Sequence, residues 1–207
     1  MRAVLVRVGT VLVIGSTFVR DGGAQAAREP AIPVGACEGC GAADAPAALT
    51  WEARLAPTGE PGTPLVVTGV VYRPDARTPA AGVLVYAYHT NAAGVYPRRG
   101  GETGNAQRHG YLRGWLRTDA RGRYRLTTIR PAPYPRRDDP AHIHLTVTSP
   151  AGEERWIDSI VFDDDPRLTP RRRAELRNVG GSGVVRVTRG QDGVLSATRH
   201  VVLERWP

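Results

Sequence analysis

The feature that most constrains the fold is a strict alternation of apolar and polar residues over 141–148, "AHIHLTVT". Side chains point alternately to the two faces of a β-strand, so this pattern predicts a strand with one apolar face and one polar face. The apolar face would carry Ala141, Ile143, Leu145 and Val147, and the polar face His142, His144, Thr146 and Thr148.

Two of the chain's five histidines lie on the polar face of this predicted strand. Residues two apart along a strand are separated by about 7 Å, so the rings of His142 and His144 could converge on one ion. A solvated strand face that carries two histidines is the alternative, and the spacing alone leaves both interpretations open.

The rest of the chain repeats this short-strand pattern, because 24 glycines and 17 prolines interrupt Val-rich runs. Strands are predicted at 64–74, 81–90, 111–119, 123–129 and 155–162, with a terminal hairpin of 183–189 and 194–204. Residues 48–56 fit a strand or a short helix, and 168–177 fit a helix capped by Thr169. The predicted fold is an all-β, antiparallel β-sandwich with long loops and one short C-terminal helix.

The N-terminus has the three-part pattern of a secretory signal. Arg2 and Arg7 precede an apolar run over 8–19, and "AQA" at 24–26 supplies small residues for cleavage. We therefore predict a signal peptide at 1–26, an N-terminal extension with a CxxC motif at 27–60, and a β-sandwich domain at 61–207. The mature protein would be secreted or periplasmic and free of the membrane, whereas an uncleaved anchor is the alternative.

The amino-acid composition limits the classes of partner that the protein could bind. The formal charge is +8, and every basic residue is an arginine. These arginines are scattered and the chain carries an export signal, so we expect no nucleic-acid partner, although a positive field could attract anionic aromatic substrates.

The two cysteines, Cys37 and Cys40, form a single CxxC pair. One such pair cannot supply four zinc ligands, and a redox CxxC would normally open a helix within a βα unit. In an exported protein we expect a small local disulfide between them.

Four motifs together resemble the intradiol ring-cleaving dioxygenases: "GVY" at 94–96, "TDARGRY" at 118–124, "TTIRPAPYP" at 127–135 and "PAHIH" at 140–144. The resemblance extends over roughly residues 64–165. It implies a non-haem Fe(3+) site whose ligands are Tyr96, Tyr134, His142 and His144. By the same resemblance, Tyr134 and His144 would be axial ligands, and Tyr96 and His142 equatorial ones.

These residue types suit ferric iron. Phenolate is a hard anionic oxygen ligand, and two phenolates with one hydroxide balance three positive charges, whereas two histidines with one carboxylate favour Fe(II) oxygenases. The resemblance implies that a catechol displaces Tyr134, which then acts as an internal base. The aromatic ring would open between its two hydroxylated carbons, with O2 as co-substrate.

Two departures from the family pattern bear on turnover. Asp139 stands where the family has an arginine, and by alignment Ser159 stands where it has a glutamine. The arginines that could supply the missing positive charge are Arg108, Arg113, Arg136 and Arg137. A non-catalytic module of the same fold that binds metal or a phenolic ligand is therefore the alternative function.

Weaker candidates for the substrate pocket are Tyr88, His89 and Arg113, together with Asp139 and Ser159. His109 could also lie nearby, although ordinary packing explains each of these histidines equally well. The predicted partners are a catechol or phenolic small molecule and O2, and assembly into a homo-oligomer is left open.

Overall fold

The structure is a computed structural model that describes residues 40–150 and 152–204. Its strands, in chain order, are β1 (Glu52–Arg54), β2 (Pro64–Tyr72), β3 (Leu84–His89), β4 (Arg113–Arg117), β5 (Arg123–Ile129), β6 (His142–Thr148), β7 (Glu154–Phe162), β8 (Val184–Val185), β9 (Val187–Arg189), β10 (Leu195–Thr198) and β11 (Val201–Val202). The described part also has two short helices, α1 (Ala106–His109) and α2 (Pro170–Ala174).

Two sheets pack against each other. The first has the order β1-β5-β2-β10-β9 with β11 beside β2, and the second has the order β4-β3-β6-β7-β8. The predicted β-sandwich is confirmed, but the sheets are mixed rather than wholly antiparallel. β1 with β5, β2 with β10 and β11, and β7 with β8 are parallel pairs. These partners are far apart in sequence, and a parallel pair needs such a long connection rather than a hairpin turn.

The core lies between the sheets and takes one face of each long strand. In β6, Ile143, Leu145 and Val147 are at most 2% exposed, which confirms the apolar face predicted from the alternation. Burial of this kind contributes roughly 1.5–3 kcal/mol for each large apolar side chain. His142 and His144 therefore lie on the opposite face of β6, which we call the outer face of the second sheet.

The structure also confirms the helix and the hairpin that the sequence predicts near the C-terminus. The Thr169 side chain accepts a hydrogen bond from Arg172 N at 3.2 Å, and Pro170 is the first residue of α2. β9 and β10 pair antiparallel around the Gly190–Gly193 turn. Across the described residues, no helix has the length and apolar character needed to cross a membrane.

Residues 40–44 dock onto the outer face of the second sheet. Gly41 N and Ala42 N each donate a 2.9 Å hydrogen bond to the buried Glu154 carboxylate. Trp115 Nε1 donates to Gly41 O at 2.7 Å. A Cβ atom on Gly41 would overlap the Tyr86 ring, so only glycine allows the segment to lie this close to the sheet.

Cys40, at the start of this docked segment, is disulfide-bonded. Cys37 and the predicted signal peptide at 1–26 lie outside the described residues. The neighbouring contacts of Gly41 and Ala42 involve the Glu154 carboxylate and the Trp115 indole, so they do not require the disulfide.

We expect the double variant Cys37→Ser, Cys40→Ser to keep the iron site that the sequence predicts. The disulfide would close a very short loop, so its loss should lower the free energy of unfolding by at most about 2 kcal/mol. Mass spectrometry without reductant tests the bond, and two free thiols in the exported wild type would contradict it. Iron content of the double variant tests the second claim, and an iron-free variant would contradict that claim.

Candidate metal centre

Four side chains from three separate segments meet on the outer face of the second sheet. Tyr96 and Tyr134 share a short hydrogen bond between their hydroxyl groups. Tyr134 Oη lies 3.1 Å from His144 Nε2, and His144 Nε2 lies 3.0 Å from His142 Nε2. We call Tyr96, Tyr134, His142 and His144 the Tyr–His cluster. The structure thus brings together the four ligands that the sequence predicts.

The histidines owe their position to β6, which is central in its sheet between β3 and β7. The pairing of β6 with β7 shifts between Ile143 and Leu145, at the level of His144. Such irregularities re-aim side chains and recur beside active sites. The His142 and His144 rings are nearly perpendicular, at 87°, with centroids 4.5 Å apart.

Tyr96 is delivered by a turn that follows β3. The Asn91 side-chain carbonyl accepts hydrogen bonds from Ala93 N and Val95 N, and Gly94 N donates to Asn91 O. Gly94 has φ of +76°, and a Cβ atom there would overlap the Pro133 carbonyl. The glycine of the "GVY" motif is therefore needed twice, for its backbone angle and for close approach to the Tyr134 segment.

Tyr134 lies in the proline-rich loop between β5 and β6. The loop is tied to the Tyr96 turn, because Thr90 Oγ1 donates to Ala132 O at 2.6 Å and Ala132 N donates to Asn91 O at 3.1 Å. The two tyrosine segments therefore form one hydrogen-bonded unit above the histidine strand.

The electrostatics of the cluster favour neutral groups while no ion is bound. Burial raises the pKa of Tyr96 and the pKa of Tyr134, and it lowers the pKa of His142. Burial lowers the pKa of His144 well below its usual value, and the neighbouring histidines add to the effect. The cluster therefore presents two phenols and two neutral imidazoles at neutral pH.

The tautomer of His142 also suits metal binding. Its Nδ1 lies 2.7 Å from Pro140 O, which can only accept, so Nδ1 is the protonated nitrogen. The unprotonated Nε2 then points into the cluster, in the arrangement that metal-binding histidines adopt.

The donor atoms fit a single transition-metal ion. Ligands bound at about 2.1 Å and at right angles are separated by about 3 Å, which matches the 3.0 and 3.1 Å spacings in the cluster. The 3.1 Å spacing places Tyr134 and His144 as neighbouring donors, whereas the axial pair that the resemblance implies would lie on opposite sides of the ion. Two phenols and two imidazoles suit Fe(III) once the phenols lose their protons. Elsewhere in the described part of the chain, no group of three or more His, Cys, Asp and Glu side chains could hold a metal ion.

Two weaker candidates from the sequence lie beside the cluster. The Tyr88 ring stacks between His109 and His144, with centroid distances of 3.6 and 4.6 Å. Ser159 Oγ is 3.4 Å from His144 Nδ1, which is a long contact. Trp156, which the sequence did not single out, packs edge-on to His144 at 5.5 Å.

The other candidates are engaged elsewhere. His89 is fully buried, and its two ring nitrogens lie 2.7 Å from Thr90 O and 2.6 Å from Thr128 Oγ1. Arg113 pairs with Asp44 at 3.3 Å, on the side of the docked N-terminal segment.

Asp139, which stands in place of the family arginine, pairs with Arg137. The Arg137 Nε atom lies 2.7 Å from Asp139 Oδ2, and its guanidinium carbon lies 5.5 Å from the centre of the Tyr134 ring. One of the four arginines named from the sequence therefore does place positive charge next to a candidate ligand.

Sequence reasoning missed two residues that support the cluster, Asp165 and Arg167, which follow β7. Asp165 accepts a hydrogen bond from Ala141 N, and Arg167 donates to the Tyr134 carbonyl. The only signal was the acidic run "DDDPR" at 163–167, which looks like an ordinary solvated turn.

The fold and the cluster together define the class: a mixed β-sandwich with a two-tyrosine, two-histidine donor set on one sheet. A protein-family model described as Dioxygenase matches residues 42–175, which is more than half of the chain. The chain belongs to the intradiol ring-cleavage dioxygenase family.

Individual relatives agree with this assignment. The beta chain of protocatechuate 3,4-dioxygenase from Burkholderia cepacia is 34% identical over 117 residues, which cover 53% of this chain and 49% of the relative. Catechol 1,2-dioxygenase 2 from Acinetobacter lwoffii is 33% identical over 132 residues, which cover 56% and 46%. This chain thus spans about half the length of the curated relatives it matches.

Solved structures share the fold. The dioxygenase domain of a dioxygenase–carbohydrate-binding protein fusion from Streptomyces sp. SirexAA-E matches with a TM-score of 0.57 and 25% identity, covering 74% of this chain and 87% of that chain. Catechol 1,2-dioxygenase from Acinetobacter sp. ADP1 matches with a TM-score of 0.57 and 20% identity, covering 76% and 58%.

Proposed function

We propose that this protein is a non-haem Fe(III) dioxygenase that opens a catechol-type ring between its two hydroxylated carbons with O2. The observation that carries the proposal is the convergence of Tyr96, Tyr134, His142 and His144 within hydrogen-bond distance of one another. Family membership and the names of the relatives support the choice of reaction and of a catechol-type substrate.

The bound ferric iron would supply Lewis-acid polarisation of the catecholate, so that the substrate carbon becomes reactive towards O2. Tyr134 carries the proton transfer, because its Oη lies at the centre of the cluster, in contact with both Tyr96 and His144. The deprotonated Tyr134 hydroxyl would accept a proton from the hydroxyl group of the entering catechol. Tyr96, on the turn held by Asn91, stays in position and holds negative charge at the site.

Arg137 would stabilise the negative charge that develops during this exchange. Its side chain is 70% exposed, and its guanidinium group pairs with Asp139 and lies near the Tyr134 ring. Since it is strongly solvated, its contribution is smaller than that of a buried donor. Although Asp139 replaces the family arginine, Arg137 therefore still provides a positive charge next to the site.

We expect Arg137→Gln to lower kcat by about 10-fold while iron content stays unchanged, less than the loss of a fully buried donor would cost. The exposed neighbour Arg136 provides the matched control, and Arg136→Gln should keep wild-type kcat. Equal rates for the two variants would show that the Arg137–Asp139 pair has no role in turnover.

The second candidate is a non-catalytic module of the same fold that binds metal or a phenolic ligand. It is favoured by Asp139 and Ser159, which replace the arginine and glutamine of the family pattern, and by the long 3.4 Å contact of Ser159 with His144. Such a module would bind iron and catechols without consuming O2.

Oxygen consumption separates the two candidates. The purified, iron-loaded protein is mixed with a panel of catechols, and with resorcinol and hydroquinone as isomers that lack adjacent hydroxyl groups. The dioxygenase proposal expects O2 uptake with at least one catechol and none with the isomers. Catechol binding without O2 uptake across the panel would favour the module.

We also propose that the protein acts outside the cytoplasm, as a secreted or periplasmic enzyme. The signal-like N-terminus and the disulfide at Cys40 support this location, because disulfides persist in oxidising compartments. Sequencing the N-terminus of the exported protein tests cleavage after residue 26.

A further inference from the structure

The loop that follows β7, residues 163–168, contacts the backbone of two segments of the cluster. One segment carries Tyr134, and the other leads into His142. The Asp165 side chain, only 7% exposed, uses both carboxylate oxygens as acceptors. Its Oδ2 accepts from Ala141 N at 2.7 Å, and its Oδ1 accepts from Arg167 N at 2.8 Å. Ala141 immediately precedes His142, so this carboxylate holds the chain where the histidine strand begins.

Arg167, from the same loop, holds the other segment. Its Nη1 donates to Tyr134 O at 3.0 Å and to Arg137 O at 2.9 Å. These two carbonyls belong to the turn that follows Tyr134, in which Arg137 N donates to Tyr134 O at 3.4 Å. One guanidinium group therefore bridges the turn that begins at a candidate ligand.

The chain between these two anchor points has little other support. Residues 135–141 join Tyr134 to His142 without forming a helix or strand, and 135–138 are exposed. Within this connection, Pro140 O and Arg137 N bind the flanking residues His142 and Tyr134. The backbone contacts with more distant segments of the described chain are those of Ala141 N with Asp165 and of Arg137 O with Arg167. Both partners belong to the loop at 163–168.

We infer that Asp165 and Arg167 are positioning residues that set the separation between Tyr134 and His142 before a metal ion binds. The inference deepens the proposed iron site and rests on it. Outer contacts of this kind fix the orientation of metal ligands, and their removal typically costs about 10- to 100-fold in metal affinity. Neither residue touches the cluster's donor atoms, so neither is a catalytic residue.

The loop also has backbone hydrogen bonds of its own, besides the one that Arg167 N donates to the Asp165 side chain. Asp165 N donates to Phe162 O at 3.1 Å, and Leu168 N donates to Asp165 O at 2.9 Å. The matched control is Asp164, whose carboxylate forms a two-point ion pair at 2.6 and 2.7 Å with Arg130, at the start of the loop that carries Tyr134, and has no hydrogen bond to residues 134–142. Asp164→Asn removes a charge from the same loop without changing the anchors.

The test compares Asp165→Asn, Arg167→Gln and Asp164→Asn in the full chain. In the metal-free proteins, deuterium exchange should speed up over 135–141 in the first two variants only. After loading, these two should bind Fe(III) about 10- to 100-fold more weakly and shift the visible tyrosinate band, at thermal midpoints similar to that of Asp164→Asn.

Iron affinity, band position and exchange equal to those of Asp164→Asn in both variants would overturn the inference. If Asp165→Asn does not fold, Arg167→Gln decides, because Arg167 is only partly buried. A wild type that binds Fe(III) but opens no catechol would defeat the proposed activity and leave this inference standing. A wild type without a visible band would defeat both.

Discussion

Replacing Tyr134 by phenylalanine should strongly slow ring opening, although the variant should still retain some iron and bind catechol. The Tyr134 hydroxyl is the central contact of the cluster, because it meets Tyr96 Oη and lies 3.1 Å from His144 Nε2. Without it, no side chain at that position can take the proton of the entering catechol. Loss of a positioned base typically costs about 100- to 10,000-fold in rate, and we expect a decrease of this size in kcat.

The test measures kcat, iron content and catechol affinity in one series. Tyr111→Phe is a matched control, since Tyr111 donates to Glu60 and lies outside the cluster. It should behave as wild type. Tyr96→Phe should differ from Tyr134→Phe by weakening iron retention, because Tyr96 keeps its negative charge at the site throughout. A Tyr134→Phe protein with normal kcat would rule out its role as internal base.

The second large effect is expected for the histidine strand: His144→Ala should empty the site. His144 Nε2 has both Tyr134 Oη and His142 Nε2 as neighbours, so its removal leaves a gap between the remaining donors. Loss of a direct ligand should exceed the roughly 10- to 100-fold that outer contacts cost in metal affinity. His142→Ala should act in the same direction.

His109→Ala is the control for this effect. His109 is buried 3.6 Å from the Tyr88 ring, and its Nδ1 lies 2.6 Å from Tyr86 Oη, but it contributes no atom to the cluster. We expect it to retain iron, with at most a small change in the visible spectrum. Iron content after purification decides the comparison, and full occupancy in His144→Ala would contradict the assignment.

Much of the fold followed from local sequence patterns. β6 was predictable because Ile143, Leu145 and Val147 alternate with polar residues, and burial of one face requires that alternation. The helix at α2 was predictable from Thr169 and Pro170. The parallel pairing of β10 with β2 was not, because it depends on how distant segments pack rather than on any local pattern.

The residues of the candidate site likewise fall into those that local motifs predict and those whose role depends on distant contacts. Tyr96 and Tyr134 were found from family motifs whose glycines and prolines shape their own turns, and His142 and His144 from the alternation of β6 together with the "PAHIH" motif. Asp165 and Arg167 were not found, because their role arises from contacts with the distant Ala141 and Tyr134 backbones. The Arg137–Asp139 pair likewise became distinguishable from other surface arginines only through its geometry.

The most direct test of the central claim is the fate of labelled oxygen. Iron-loaded wild-type protein is incubated with a simple catechol under ¹⁸O₂, and the product is analysed by mass spectrometry. Intradiol cleavage at the Tyr–His cluster predicts a muconate-type diacid that carries both atoms of one O₂ molecule. The absence of a doubly labelled diacid across a panel of catechols would contradict the dioxygenase account and leave a binding module in its place.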